Sequence, residues 1–208
     1  MKVLSLFDGI SCGMVALERA GIPVERYVAY EIDKYAIQVS KKNYPQIEQC
    51  GDVTTADFTQ YNGFDLLIGG SPCQGFSFAG KQLNFNDPRS KLFFEFVRAL
   101  KEVQPKYFLL ENVKMKQEYQ DVISGYLGVE PIEINSSLVS AQNRKRLYWT
   151  NIPNVTQPED KGIMLKDIVH EGEAVSVKNQ CKEVAGTQEK SSCLLARDYK
   201  GFGNQQMT

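Results

Sequence analysis

A thiol at the end of a buried strand is the residue pattern in this chain best suited to chemistry. Phe64-Asp65-Leu66-Leu67-Ile68 reads as that strand, and it runs into Gly69-Gly70-Ser71-Pro72-Cys73-Gln74-Gly75-Phe76-Ser77. Such an ending delivers its Cys to the carboxyl edge of a sheet, where open α/β folds bind their ligands. The glycines allow a sharp turn with room for a substrate, and Pro72 stiffens the backbone before the sulfur. Free Cys is also a common and inert core residue, so Cys73 needs companions before it reads as a nucleophile. Tyr107-Phe108-Leu109-Leu110 leads into Glu111-Asn112-Val113 and puts a carboxylate at the same edge. Beside a thiol, Glu111 can supply a proton or orient a substrate amine; otherwise it caps the next turn. In Gln142-Asn143-Arg144-Lys145-Arg146 the two arginines alternate along an extended segment, which places both on one side. That arrangement suits a phosphate or a planar polar base, and it is equally the composition of a solvated hairpin turn.

A second group of residues has the spacing of a nucleoside site. The first strand ends in Phe7-Asp8-Gly9-Ile10-Ser11-Cys12-Gly13 and opens a helix. A glycine-bearing turn there permits close backbone approach, and the helix N-terminus offers free N–H groups. The spacing is not G-x-G-x-x-G, so a dinucleotide is not the first expectation. Glu31 closes the second strand, where an acid typically takes a ribose diol, and Ile32 follows it. Asp52, within Gly51-Asp52-Val53, is placed to accept from an adenine amine. Each acid alone is more often a solvated cap; the glycine turn, Glu31 and Asp52 in order at successive strand ends point to an adenosine-type ligand.

The elements that must position these groups alternate between short apolar runs and amphipathic stretches, the pattern of a parallel sheet with crossover helices. Strands are expected at 2–7, 27–31, 47–50, 64–69, 107–111, 132–138 and 147–150, and helices at 13–20, 34–43, 89–103 and 117–125. The stretch over 89–103 has Leu92, Phe93, Phe96, Val97, Leu100 and Val103 on one side and Pro105 just beyond it. After about residue 151 the periodicity fades, giving a domain over 1–150 and a polar remainder over 151–208. The 208 residues are 42% hydrophobic and 24% charged, ordinary for a globular chain with a real core. A net charge of −1 excludes a uniformly basic nucleic-acid binder and leaves room for a local basic patch. No apolar run is long enough to span a bilayer, and no membrane partner is expected. The cysteines (Cys12, Cys50, Cys73, Cys181 and Cys193) are odd in number and scattered, and the chain has one His. Neither a metal site nor a disulfide framework is expected, which favours a reducing cytoplasm.

Taken in order, Phe7-Asp8-Gly9, Glu31-Ile32-Asp33, Gly51-Asp52-Val53, Gly70-Ser71-Pro72-Cys73-Gln74, Glu111-Asn112-Val113 and Gln142-x-Arg144-x-Arg146 resemble the DNA (cytosine-5)-methyltransferases that use S-adenosylmethionine. Phe7-Asp8-Gly9-Ile10 and the segment 89–96 are similar to the animal de novo branch, while Pro72-Cys73-Gln74-Gly75-Phe76-Ser77 is similar to bacterial and phage enzymes. The resemblance implies an α/β fold of class I methyltransferase type: a Rossmann-like doubly wound, mostly parallel sheet with an antiparallel edge hairpin. It implies Cys73 as nucleophile, Glu111 at N3 and the exocyclic amine of a flipped cytosine, Arg144 at the base O2 and Arg146 supporting the catalytic loop. It further implies Phe7 against adenine, Gly9 and Ile10 near the methionine tail and Glu31 and Ile32 at the ribose. Asp52 and Val53 would lie at the adenine edge and Pro72 at the methyl-donor end. The implied partner is double-stranded DNA in a bacterial or phage-infected cell, with a cognate restriction endonuclease as a second candidate. The family's further Arg segment and C-terminal Gly-Asn segment find no clear copy, so a C-terminally truncated chain with part of a target-recognition region is expected. Two other readings stay open: a non-catalytic fragment that binds cofactor or DNA, and a tRNA cytosine-5 methyltransferase.

Overall fold

The computed structural model describes residues 1–72, 88–168 and 190. Cys73 and the segment to residue 87, which includes most of the expected thiol loop, lie outside the described residues. Strand β1 (Lys2–Leu6) buries Val3, Leu4, Ser5 and Leu6, as a strand covered on both faces must. There follow α1 (Cys12–Arg19), β2 (Arg26–Tyr30), α2 (Lys34–Asn43), β3 (Glu48–Gln49), β4 (Leu66–Gly69) and α3 (Pro88–Val103). Then come β5 (Tyr107–Val113), α4 (Gln117–Leu127), β6 (Ile132–Asn135) and β7 (Lys145–Thr150). Two short 3₁₀ turns, Val53–Thr55 and Phe58–Tyr61, fill the connection between β3 and β4.

The strands form one sheet in the order β3-β2-β1-β4-β5-β7-β6. Pairings from β3 through β5 are parallel, and β7 runs antiparallel to β5. The chain winds outward from β1 to β3 and then returns to β4 on the other side of β1. This is the doubly wound α/β architecture expected from the alternation, and its switch point lies between β1 and β4.

Alternation along β1 divides the core into two layers. Leu4 and Leu6 join Phe93 and Phe96 of α3 and Ile123 of α4, while Val3 joins Leu17 of α1, Tyr27 and Ile68. Phe96 is fully buried, and burial of a side chain of that size contributes about 2–3 kcal/mol. α2 starts where the Asp33 carboxylate accepts from the Tyr35 and Ala36 N–H groups, an N-cap that also fixes the end of β2. α3 stops before Gln104, which is left-handed at φ 49°, with Pro105 next.

Two compact units make up the chain: 1–133 with 146–155, and 134–145 with 156–208. Within the second, the Asn135 carboxamide oxygen accepts from Ser137 N at 3.2 Å and Arg144 N at 2.9 Å, closing the intervening loop. The Lys190 ammonium donates to the carbonyls of Ser137 and Ser140, at 2.7 and 3.2 Å, and to that of Ile163. Among the described residues no helix is long and apolar enough to cross a membrane, and no group of three or more His, Cys, Asp or Glu could hold a metal ion.

Candidate active site

The β1–α1 turn is held in an unusual backbone conformation by a half-buried carboxylate. Phe7, Gly9 and Ser11 all have positive φ, at 58°, 60° and 66°. Glycine takes that conformation freely, whereas each L side chain costs about 1–2 kcal/mol. What over-determines the turn is Asp8. Its Oδ1 accepts from Ser5 Oγ at 2.6 Å and from the Tyr27 hydroxyl at 2.7 Å, and its Oδ2 accepts from Ser11 Oγ. Burial, and then the negative charge of Asp8, hold the Tyr27 phenol protonated far above its ordinary range. Ser11 Oγ also lies 2.6 Å from Ser40 Oγ of α2, so the turn is tied to both α1 and α2. Committed in this way, Ser11 does not cap α1 with its side chain.

Glu31 lies just past β2 and takes hold of the same turn. Its Oε2 accepts from Gly9 N at 2.8 Å, and its Oε1 accepts from the Ile32 and Asp33 N–H groups, both at 2.8 Å. Among the described residues three N–H donors and no cation fix the carboxylate, and one of its roughly four lone-pair positions remains for a hydroxyl. Beside it Ile32 is 76% exposed, and Ile10 is 49% exposed. Past β3, Asp52 Oδ1 accepts from Thr54 N at 2.9 Å and Thr54 Oγ1 at 2.8 Å. These bonds, the backbone one first, hold its pKa below the usual carboxylate range. The Val53 side chain packs into the core, so what it can present to a ligand is backbone.

At the other side of the switch point the end of β4 approaches β5 very closely. Gly69 pairs with Leu110, and a Cβ on Gly69 would meet the Phe96 ring at 2.9 Å and the Leu6 carbonyl at 3.1 Å. A Cβ on Gly70 would lie 3.2 Å from Glu111 Oε2. Gly69 is therefore tightly confined, while a Cβ at Gly70 would need the Glu111 carboxylate to give by a few tenths of an ångström, and the close approach brings that carboxylate against the segment that leads to Cys73. Opposite them, β7 supplies Arg146, whose Nε is 2.9 Å from Glu111 Oε1. Ser71 is buried, and its carbonyl accepts from Asn112 Nδ2 at 3.2 Å; Asn112 Oδ1 in turn accepts from Val113 N at 2.8 Å. Pro72 is exposed immediately afterwards.

The expected acids and turn residues thus share the carboxyl edge of the parallel strands: Phe7, Gly9 and Ile10 after β1, Glu31 and Ile32 after β2, Asp52 and Val53 after β3, and Gly70 to Pro72 after β4. Arg144 is half-buried in the second unit and precedes β7. Three participants escaped the sequence reading: Asp8 as the centre of a hydroxyl network, the Asn112 carboxamide as the clamp on Ser71, and Arg98 of α3. Arg98 was detectable as the Arg within an apolar helix face, flanked by Glu95 and Glu102 at helical spacing.

Comparison with known proteins agrees with this arrangement. Residues 1–122 match the family described as C-5 cytosine-specific DNA methylase. The orphan methyltransferase M.SPRI of Bacillus phage SPR is 39% identical over 168 residues, which is 73% of this chain and 38% of the phage protein. The type II methyltransferase M.Eco47II of Escherichia coli is 48% identical over 114 residues, covering 54% of this chain and 27% of that protein. The chain thus spans well under half the length of these curated relatives. Among solved structures, Schizosaccharomyces pombe Dnmt2 methyltransferase shares the fold with a TM-score of 0.64 at 21% identity, covering 83% of this chain and 62% of that one. The match to more than half the chain, over the segment that builds this sheet edge, places the protein in the C-5 cytosine-specific DNA methylase family.

Proposed function

We propose that the chain carries the catalytic part of a DNA methyltransferase that acts on C5 of a flipped-out cytosine in double-stranded DNA through a covalent adduct with Cys73. The observation that carries this reading is the Glu111 carboxylate, fixed by Arg146 and packed against Gly70 at the strand end that leads to the thiol. Cytosine C5 is a poor nucleophile. A thiolate bonding to C6 pushes electron density to C5 and makes it reactive. Glu111 holds N3 and the exocyclic amine and favours protonation at N3, which draws the thiolate onto C6. Once C5 carries the new methyl group, loss of the C5 proton re-forms the C5–C6 double bond and expels the sulfur, restoring Cys73. Arg144 supports the base at O2, and Arg146 holds Glu111 in orientation. A stacked base is out of reach, so the cytosine is rotated out at a cost of a few kcal/mol.

The residues at the first three strand ends fit S-adenosylmethionine. Glu31 keeps acceptor capacity for ribose hydroxyls, Asp52 Oδ1 is held by Thr54 on an exposed turn, and Ile10 and Ile32 leave apolar surface open beside them. Phe7, Gly9, Ile10, Glu31, Ile32, Asp52, Val53 and Pro72 would hold it. When bound, it supplies the methyl group as an electrophile on sulfonium. The protein would act in the cytoplasm of a bacterium or of a phage-infected cell, alone or beside a cognate endonuclease.

Methyl transfer from tritiated S-adenosylmethionine to unmethylated double-stranded DNA, with tRNA as a parallel acceptor, tests the proposal. Label on DNA at C5 supports it, and label on tRNA alone overturns it. The span of 38% of the phage relative favours a second reading, a fragment that binds cofactor or DNA without turnover. That reading expects S-adenosylhomocysteine binding and no label on either acceptor.

A further inference from the structure

Asp52 and Val53 lie in the connection after β3, a strand of two residues. The turn is closed on itself by Thr54 and Thr55, which bond back to Asp52. Those bonds set its internal shape and leave its place in the molecule to other groups. Arg98 reaches it from α3. Its Nη2 donates to the Val53 carbonyl at 3.3 Å and its Nη1 to the Ala56 carbonyl at 3.0 Å. The guanidinium carbon sits 4.3 Å from the centre of the Phe58 ring, which is fully buried and begins the second 3₁₀ turn.

One guanidinium thus grips the first turn, the link and the second turn together. Its remaining N–H groups are taken by Glu95, at 2.9 Å from Nε and 2.7 Å from Nη2, and by Glu102, at 3.2 Å from Nη1. The planar fork has five donors, and each has a partner. The charge is not spent on an isolated surface pair. The Arg98 side chain is 32% exposed and those of Glu95 and Glu102 are 21% and 30%, so the acids hold the fork at the angle that reaches two main-chain oxygens. A Lys at this place would keep the charge and could not span both carbonyls and both carboxylates.

We propose that Arg98 is a positioning residue for the adenine end of the cofactor site, acting through the Val53 and Ala56 carbonyls to set the Asp52 carboxylate. The inference rests on the reading of Asp52 as acceptor for the adenine amine. A structural role alone would lower stability and weaken every ligand equally; a positioning role removes the preference for a ligand that donates to Asp52.

The test compares S-adenosylhomocysteine with S-inosylhomocysteine, whose 6-oxo group cannot donate, by calorimetric titration of the full chain. The native protein is expected to prefer the amino ligand about tenfold, and Asp52→Ala to lose that preference. Arg98→Lys should weaken S-adenosylhomocysteine about five- to tenfold and leave S-inosylhomocysteine within about twofold. Amide exchange at Thr54 and Thr55 should also quicken in the ligand-free variant. Should Arg98→Lys not fold, Glu95→Gln loosens the fork with the Arg in place and should move the preference the same way by a smaller factor. If Asp52→Ala loses the preference while these variants keep it, or if both ligands weaken equally, the positioning role is wrong. If Asp52→Ala keeps it, the adenine assignment fails, and the role of Arg98 fails with it.

Discussion

The two sides of the sheet's switch point hold their carboxylates by opposite means. On the β1–β2–β3 side, Glu31 is fixed by three backbone N–H groups and Asp52 by Thr54, with no cation on either among the described residues. On the β4–β5 side, Glu111 is fixed by the cation of Arg146, a side chain only 15% exposed. Backbone donors give an acid a set position with spare acceptor sites, which suits hydroxyls and amines of a ligand. A cation on a neighbouring strand orients one oxygen of the acid and leaves the other facing Gly70.

The largest effect should come from the second side. Glu111→Ala is expected to lower the rate of adduct formation on 5-fluorocytosine DNA by at least about 10²–10⁴-fold, with S-adenosylhomocysteine affinity within about twofold. Loss of affinity with retained rate would exchange the two roles. Next comes Arg146→Met, which strips Glu111 of its cation; thermal unfolding should show a loss of about 1–3 kcal/mol together with slower adduct formation. Arg146→Lys should recover part of the stability and little of the rate, because Lys does not reproduce the fork. On the first side, Glu31→Ala should weaken S-adenosylhomocysteine about tenfold in calorimetry and spare the adduct rate at saturating cofactor.

The smallest predicted effect is electrostatic. The folded-state pKa of Asp52 is depressed, so its bonds to Thr54 contribute stability above the unfolded carboxylate pKa of about 3.9. That contribution is lost as pH falls through the lower folded value. Thr54→Val should move the Asp52 carboxyl titration, followed by NMR, back toward the ordinary range. An unchanged titration would mean that Thr54 does not set the acid.

How far the sequence carried this account depends on which forces acted locally. α2 starts where its pattern predicts because the Asp33 side chain caps it. α4 runs past Gly125 to Leu127, since the residue that takes the left-handed terminating conformation is Gly128, at φ 72°. β5 continues beyond Glu111 to Val113 because β7 pairs with it antiparallel, a partner about forty residues away that no local pattern announces. The expected strand at 132–138 breaks at Asn135, whose side chain accepts from Ser137 N and starts a 3₁₀ turn. β4 begins at Leu66: Phe64 N still bonds to the Tyr61 carbonyl of the preceding turn, and Asp65 N bonds to the carbonyl of Lys2 at the start of β1. At the site, Glu31 and Asp52 were legible because each follows a strand, whereas Glu111 lies inside β5 and not at its end. The clamps were not: Asp8, Asn112 and Arg98 act across elements, through contacts that only the assembled sheet brings about.

The central claim is that the thiol of Cys73 and the carboxylate of Glu111 act on one cytosine. Its most direct test is mass spectrometric mapping of the protein–DNA adduct formed with 5-fluorocytosine duplex and S-adenosylmethionine. The account predicts a single modified peptide bearing the nucleotide on Cys73, absent in Cys73→Ser and strongly reduced in Glu111→Ala. An adduct on another residue, or one that forms equally well without Glu111, would contradict it.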